Sequence, residues 1–158
     1  MSRIVGSTIA AVLLAASLFA QTPTPSSAPL EGAWRIVEIT GANGSTNSNP
    51  QPNLYLFTKR HYSILSVNST QPRLKFEPLA TPGKPTDAEK IARYQQWNPF
   101  SANSGTYEIK EGLLTTRPLV AKNETVMSGP GDTWEFKIDG DTLWLTDDDT
   151  TTKLIRVE

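Results

Sequence analysis

Short stretches of alternating apolar and polar residues recur from residue 30 to the end of the chain. Residues 33–40 (AWRIVEIT) show the pattern well, because a two-residue period places Trp34, Ile36 and Glu38 on one face of a strand. Eight such stretches, each ended by turn residues, predict strands at 33–40, 54–58, 62–67, 104–110, 113–121, 133–138, 142–146 and 153–157. The chain is therefore predicted to be all-β.

The turns between these stretches are mostly short. Residues 59–61 fit a tight hairpin, and the Asp139-Gly140 pair is a strong hairpin signal. Pro118 indicates a bulge or an edge within the fifth strand. Neighbouring strands in the sequence are thus expected to pair antiparallel.

One interval, residues 71–99, breaks the pattern because its prolines are incompatible with a regular ladder. Within it, Thr86 and Glu89 have the spacing of a capping box, which predicts a short helix at 87–96, between the third and fourth strands. This helix could cap one mouth of a barrel or cover a seam between strands.

Eight sequential strands leave two exposed edges unless the first and last strands pair. Closure removes both edges and leaves an interior that side chains or one small ligand can fill. An open sandwich is the alternative, but sequential hairpins favour an eight-stranded antiparallel up-and-down barrel.

The N-terminal region has the pattern of an export signal. Arg3 precedes an uncharged apolar run that ends at Ala20, and residues 21–29 (QTPTPSSAP) are polar and proline-rich. We expect a signal peptide at 1–20, a flexible leader at 21–29 and one domain at 30–158, in a secreted or periplasmic protein without a stable membrane anchor after cleavage. A retained transmembrane anchor is the less favoured alternative.

Composition limits the chemistry available to the chain. The formal net charge is −1, which argues against nucleic-acid binding, and the absence of cysteine excludes disulfides. His61 is the only histidine, so a catalytic triad or transition-metal site is not expected, and we expect no cofactor. The acidic residues 147–149, with Asp139 and Asp141, could bind calcium, but a solvated turn is favoured.

Four segments in order resemble the bacterial lipocalin-like domain family: 30–37 (LEGAWRIV), 53–64, 102–108 and 139–145. The resemblance extends over nearly all of 30–158. It implies a lipocalin-like (calycin-type) barrel in which Gly32 and Trp34 form the Gly-x-Trp signature and Arg156 lies across the Trp34 ring, closing one end. The chain departs from lipocalins proper because it has no disulfides and no obvious long C-terminal helix.

The strand aromatics are either core residues or the lining of a cavity, and the two roles overlap in a barrel. The candidate ligand-binding residues are Tyr55, Phe57, Tyr62, Tyr107, Trp134 and Phe136, and Trp144 belongs to the same aromatic set. Glu38 shares the phase of Trp34 and would be a polar contact inside the barrel, unless a bulge turns it outward.

These features favour an exported protein that binds a small, largely apolar molecule without catalysis. One alternative is an isomerase or cyclase of barrel shape, acting on a lipid-like substrate through Tyr107, Glu108 or Glu38. Another is an envelope interaction protein with a filled barrel and a functional outer surface.

Overall fold

A computed structural model describes residues 30–75 and 77–158. The expected signal peptide (1–20) and leader (21–29) lie outside these ranges. The elements of the described residues are β1 Gly32–Thr40, β2 Thr46–Asn47, β3 Asn53–Phe57, β4 His61–Val67, α1 Asp87–Trp97, β5 Phe100–Lys110, β6 Leu113–Ala121, α2 Glu124–Ser128, β7 Thr133–Asp139, β8 Thr142–Asp147 and β9 Thr150–Arg156.

Eight of the strands form a closed antiparallel barrel, as the sequence predicts. From β3 to β9 each strand pairs with the next in the chain; β1 pairs with β3 on one side and with β9 on the other. The short β2 is an addition that the sequence did not predict, and it pairs only with the end of β1. Pairing of β1 with β9 removes the two edges that an open meander would expose.

The two ends of the barrel differ in the length of their connections. At one end, which we call the short-turn end, the strands are joined by residues 58–60, 111–112 and 140–141. At the opposite, long-loop end, three connections are longer: 41–52, 68–99 and 122–132. Loops of this length at one mouth of a barrel are a common location for binding residues.

The core lies towards the short-turn end. Leu30, Trp34, Leu114, Leu143 and Leu154 are each fully buried there. Leu30 precedes β1, and the other four lie on β1, β6, β8 and β9, so their packing depends on the pairing of β1 with β9. This cluster forms a solid apolar floor.

A bulge in β1 changes the face on which Glu38 lies. The pairing of β1 with β9 shifts between Ile36 and Glu38, so that Glu38 lies opposite Lys153 while Ile36 and Ile39 both pack on the core. On the other side of β1, the Asn53 side chain on β3 bonds the main chain of Ile36, and its Oδ1 accepts a hydrogen bond from the Ile36 amide at 2.6 Å. Of the two orientations considered for Glu38, the structure therefore shows the outward one, because the extra residue reverses the alternation.

Helix α1 lies in the connection 68–99, at the long-loop end. Thr86 and Glu89 form both halves of a capping box at its N-terminus. Lys122 ties its C-terminal end to the barrel, because the ammonium donates to the carbonyls of Asn98 and Phe100 at 3.1 and 2.7 Å. No residue of α1 is buried.

The second helix, α2, was not predicted. It is a single short turn whose N-cap, Asn123, accepts a hydrogen bond from the Thr125 amide. Neither helix of the described residues has the length and apolar composition needed to cross a membrane.

Candidate functional site

Six aromatic side chains face the interior of the barrel. Phe57, Tyr62 and Tyr107 are buried in the core cluster, and Phe57 meets Tyr107 edge-to-face with ring centroids 5.4 Å apart. The other three, Tyr55, Trp134 and Phe136, pack against the core but are only partly buried. Apolar surface on the inner wall is therefore still accessible beside a well-packed floor.

Trp144 does not belong to this lining. It is opposite Lys137 and Lys153 on the neighbouring strands and alternates with the buried Leu143 and Leu145, which places it on the outer face. The Lys137 ammonium lies 5.4 Å from the centre of its ring.

The short-turn end is closed by Trp34 and Arg156. The Trp34 indole donates to the Leu30 carbonyl at 2.8 Å, and the Arg156 guanidinium stacks 4.0 Å from the ring centre. Arg156 also donates to the Glu31 carbonyl. Gly32 has φ +133° and leaves room for this arrangement, because a Cβ there would lie 2.5 Å from Arg156 Nη1. A ligand therefore has no way in at this end.

A buried threonine fixes the main chain of an exposed acidic residue just before β7. Thr116 is 1% exposed, and its amide donates to the Asp132 carbonyl at 2.8 Å. Its hydroxyl accepts from the Asp132 amide at 3.1 Å. The regular pairing of β6 with β7 ends one position earlier, at Thr115 and Thr133, and the Asp132 side chain is exposed.

The Tyr62 hydroxyl is buried without a hydrogen-bond partner among the described residues. Its side chain is 3% exposed. The Thr116 hydroxyl is close enough to Tyr62 to lower its pKa by hydrogen bonding, but it also bonds the main chain of Asp132, both as acceptor and as donor. Thr116 therefore has two competing partners, and a hydroxyl left unsatisfied in this competition typically costs about 1–3 kcal/mol of stability.

Electrostatic coupling connects these groups. Burial, and then the charge of Asp132, raise the pKa of Tyr55 to about 12. Burial also raises the pKa of Tyr62; the Thr116 hydroxyl opposes this shift and the Asp132 charge adds to it. The pKa of Asp132 is itself raised by burial and then by the charge of Asp147.

We call Tyr55, Tyr62, Thr116, Asp132 and Asp147 the inner polar cluster. Asp147 is the last residue of β8, two positions beyond the buried Leu145, and its side chain is exposed, as is that of Asp132. Neither Asp132 nor Asp147 forms a salt bridge within residues 30–75 and 77–158. The cluster therefore joins two solvated carboxylates at the long-loop end to the buried side chains of Tyr62 and Thr116.

A cavity of about 470 Å³ lies at the long-loop end of the barrel. Its lining includes the inward-facing Ile36 and Ile39, with Asn53 and Ser66 on the adjacent strands. The volume is within the range of small-molecule sites. The rest of the lining comes mainly from the loops, through Asn47, Pro50, Gln51 and residues 68–70, so this cavity is an open cleft at the rim of the barrel, and none of the six interior aromatics lines it.

The acid–base groups considered for an enzyme do not come together. Glu108 pairs with Arg117 at 2.7 Å, and both side chains are largely exposed. The Tyr107 hydroxyl donates to the Thr58 carbonyl at 2.6 Å, and Glu38 lies on the outer face. These three residues have separate environments, so they do not form one catalytic site.

The two acidic turns considered for calcium also lie apart. Asp139 and Asp141 are at the short-turn end, whereas residues 147–149 are at the other end of β8. In the part of the chain that the structure describes, no three histidine or acidic side chains are grouped so as to hold a metal ion.

The sequence did not identify Thr116 or Asp132 as site residues. The predicted strand began at residue 133, which left Asp132 in a turn. The available signal was its spacing, because Asp132, Trp134 and Phe136 continue one two-residue period.

Comparison with family models found no match to this sequence. Comparison with curated proteins also found none.

Comparison with solved structures found three that align with most of this chain. A lipocalin-like protein from Bacteroides uniformis ATCC 8492 aligns with a TM-score of 0.50 at 13% identity, over 81% of this chain and 98% of that chain. An uncharacterized protein from Bacteroides eggerthii DSM 20697 aligns at 12% identity with a TM-score of 0.48, over 80% and 98%. A protein from Burkholderia xenovorans aligns at 13% identity with a TM-score of 0.45, over 93% and 98%. The closed eight-stranded barrel and the likeness to the first of these structures show that the fold of this chain is a lipocalin-like barrel.

Proposed function

We propose that this chain is an exported, non-catalytic binding protein that holds a small, largely apolar molecule inside its barrel. The observation that carries the proposal is the partial exposure of Tyr55, Trp134 and Phe136 on the inner wall. A barrel filled by its own side chains, as an interaction protein would have, is expected to bury these aromatics completely. Accessible aromatic surface inside a barrel that is closed at one end favours the binding of a small apolar ligand.

The arrangement of the interior supports the same proposal. The floor of Trp34, Leu114 and Leu154 is rigid and closed, whereas the cavity at the long-loop end has room for a small molecule. A ligand that enters there would meet the apolar side chains of Ile36 and Ile39 beside the polar side chains of Asn53 and Ser66. Mostly apolar walls with a few placed polar groups are typical of small-molecule sites.

The export part of the proposal is supported by the sequence alone. A charged N-terminus and an apolar run that ends at Ala20 are the pattern of a cleavable signal. Expression of the full chain in a bacterium, followed by N-terminal analysis of the exported product, should give Gln21 as the first residue. A product that keeps residues 1–20 would contradict cleavage.

Ligand binding can be tested with the neutral fluorescent probe N-phenyl-1-naphthylamine. The variant Ser66→Trp places an indole in the cavity, because Ser66 lines it. Leu65→Trp is the matched control, since the adjacent residue has the opposite phase and pairs with Leu54 and Ala102. We expect the wild type and Leu65→Trp to bind the probe equally, and Ser66→Trp to bind at least about tenfold more weakly.

Two results of this experiment would contradict the proposal. A wild-type protein that does not increase the fluorescence of the probe would show that the interior does not accept apolar molecules. Equal losses in Ser66→Trp and Leu65→Trp would place the probe on the outer surface instead.

A further inference from the structure

The connection 68–99 forms a flap at the long-loop end of the barrel. The Asn68 amide donates to the Pro99 carbonyl at 2.7 Å, so both ends of the connection leave the barrel at one point. Between these ends, the Gln96 side chain on α1 donates to the Leu74 carbonyl at 3.0 Å and joins the helix to the chain that precedes it. We call the described part of this connection the α1 flap.

One side of α1 exposes three large apolar side chains. Ile91, Tyr94 and Trp97 follow each other at a three-residue spacing, which makes them neighbours on the helix surface. Their exposed fractions are 58%, 68% and 53%. Glu89 and Gln96, which bond the rest of the flap, lie on the side of the helix away from Ile91 and Tyr94. We call Ile91, Tyr94 and Trp97 the α1 stripe.

Exposed apolar side chains are concentrated at this end of the barrel. Ten large hydrophobic residues are exposed in the described ranges, and seven of them lie on the α1 flap, on α2 or near the end of β6. The other three, Leu56, Leu113 and Val157, lie near the short-turn end. An apolar surface confined to one end of a domain indicates an interaction surface.

The α1 flap is also the basic part of the chain. Residues 69–98 contain five basic and three acidic side chains, whereas the whole chain has 15 basic and 16 acidic ones. Asp87 pairs with Lys90 inside the flap. Lys75 and Lys84 form no salt bridge within residues 30–75 and 77–158. The flap therefore has a net positive charge, and the rest of the chain is acidic.

Two basic side chains flank Trp97. The Arg73 guanidinium lies 5.3 Å from the centre of its ring, and the Lys122 ammonium donates to its carbonyl. Among the described residues, neither cation has a carboxylate partner. Tryptophan and tyrosine rings favour the headgroup level of a bilayer, where basic side chains are attracted to lipid phosphates. The surroundings of Trp97 therefore match the chemistry of a lipid surface.

We propose that the α1 flap docks on the surface of an anionic phospholipid bilayer. The α1 stripe enters the headgroup region, and the basic side chains of the flap lie against the lipid phosphates. The charge of the flap is complementary to that of the lipid. This inference goes beyond the proposed ligand binding and does not depend on it. It places the long-loop end, with its rim cleft, against the bilayer.

Flotation with lipid vesicles tests this docking, with protein purified after export. Vesicles of equal parts phosphatidylcholine and phosphatidylglycerol are compared with vesicles of phosphatidylcholine alone. Ile91→Ser alters the α1 stripe, and Val157→Ser is its matched control, because Val157 is 51% exposed near the short-turn end. Lys75→Gln removes a charge from the flap, and Lys59→Gln removes one from the hairpin at the short-turn end.

We expect wild type, Val157→Ser and Lys59→Gln to bind the mixed vesicles equally, and at least about tenfold more tightly than phosphatidylcholine vesicles. Ile91→Ser and Lys75→Gln should each bind the mixed vesicles about fivefold more weakly. All four variants should unfold at the same urea concentration as wild type, because the substituted side chains are exposed.

The fluorescence of Trp97 reports the depth of docking. Mixed vesicles with brominated acyl chains should quench the tryptophan fluorescence of the wild type, and Trp97→Phe should remove most of this quenching. Quenching that persists in Trp97→Phe would show that another surface faces the lipid.

The contrary results of flotation are distinct. Equal binding to both kinds of vesicle overturns the role of lipid charge, and equal effects of Ile91→Ser and Val157→Ser overturn docking through the α1 stripe. Absence of vesicle binding overturns the proposal. In that case, self-association that Ile91→Ser abolishes assigns the stripe to an interface between two copies of the chain. The proposed ligand binding is tested separately, by the binding of N-phenyl-1-naphthylamine without vesicles.

Discussion

The Arg156 guanidinium makes one contact with a buried side chain and one with an exposed side chain. On one side it stacks 4.0 Å from the ring centre of Trp34, which is fully buried. On the other side its Nε lies 3.3 Å from a carboxylate oxygen of Asp141, whose side chain is 84% exposed. Because water screens the second contact, the stacking and the hydrogen bond to Glu31 are expected to carry most of the stabilisation.

Substitution at the two partners separates these contributions. Arg156→Met should lower the free energy of unfolding by about 1–2 kcal/mol, because it removes the stacked cation and a charged donor. Asp141→Asn should lower it by less than about 0.5 kcal/mol. Urea unfolding measures both values. A loss in Asp141→Asn as large as that in Arg156→Met would show that the exposed ion pair closes the barrel.

The raised pKa of Tyr55 predicts a loss of stability in alkali. Burial holds this pKa at about 12, above the ordinary value of 10. The neutral phenol is therefore favoured in the folded state, and its stabilising contribution is complete below pH 10 and is lost as the pH rises from 10 to about 12. The free energy of unfolding of Tyr55→Phe should therefore fall less than that of the wild type between these pH values. An unchanged alkaline profile in this variant would mean that Tyr55 is solvated.

The orientation of single residues was only partly predictable from the sequence. The alternation that includes Trp34 and Ile36 would place Glu38 inside the barrel, and a bulge was the alternative that would turn it outward. The structure has this bulge after Ile36, but no residue type at 36–38 marks its position in the sequence. Gly32 and Trp34, in contrast, were found from a local motif.

At the scale of elements, α1 is the clearest case of a local signal. Its capping box is complete, and the Glu89 carboxylate accepts from the amides of Thr86 and Ala80 at 2.7 and 2.8 Å. The bonds from these two amides, with a smaller contribution from the Thr86 hydroxyl, lower the pKa of Glu89 from 4.5 to about 2.

This shift predicts how α1 responds to acid. The stabilisation from ionised Glu89 is complete above pH 4.5 and is lost as the pH falls from there to about 2. An NMR titration should therefore find the Glu89 carboxyl and the Ala80 amide unchanged at pH 4. In Thr86→Ala, Glu89 should titrate at a higher pH, because the Thr86 hydroxyl no longer donates to it. A wild-type midpoint near 4.5 would show that the capping box is open in solution.

Elements without a strong local signal were missed. The two residues of β2 form a strand only because the end of β1 is available to pair with them. Helix α2 has five residues and depends on its contact with β6, so its sequence alone is too short to predict it.

At the scale of the whole molecule, the strand count was sufficient to predict closure. The first strand and the C-terminal residues complete the barrel. The Ala33 carbonyl accepts from the Val157 amide at 2.8 Å, and the Ala33 amide donates to the Glu158 carbonyl at 2.9 Å. The inner polar cluster was not predictable in this way. It combines Tyr55 and Tyr62 with residues more than 50 positions later in the chain, and only the barrel register brings them together.

The four tryptophans offer the most direct test of the central claim, that a ligand occupies the barrel interior. Trp134 faces the interior, whereas Trp144 lies on the outer wall and Trp97 is exposed on α1. In an NMR titration with N-phenyl-1-naphthylamine, the indole signal of Trp134 should shift, and those of Trp144 and Trp97 should not. Shifts confined to Trp97 or Trp144, with Trp134 unchanged, would contradict the account.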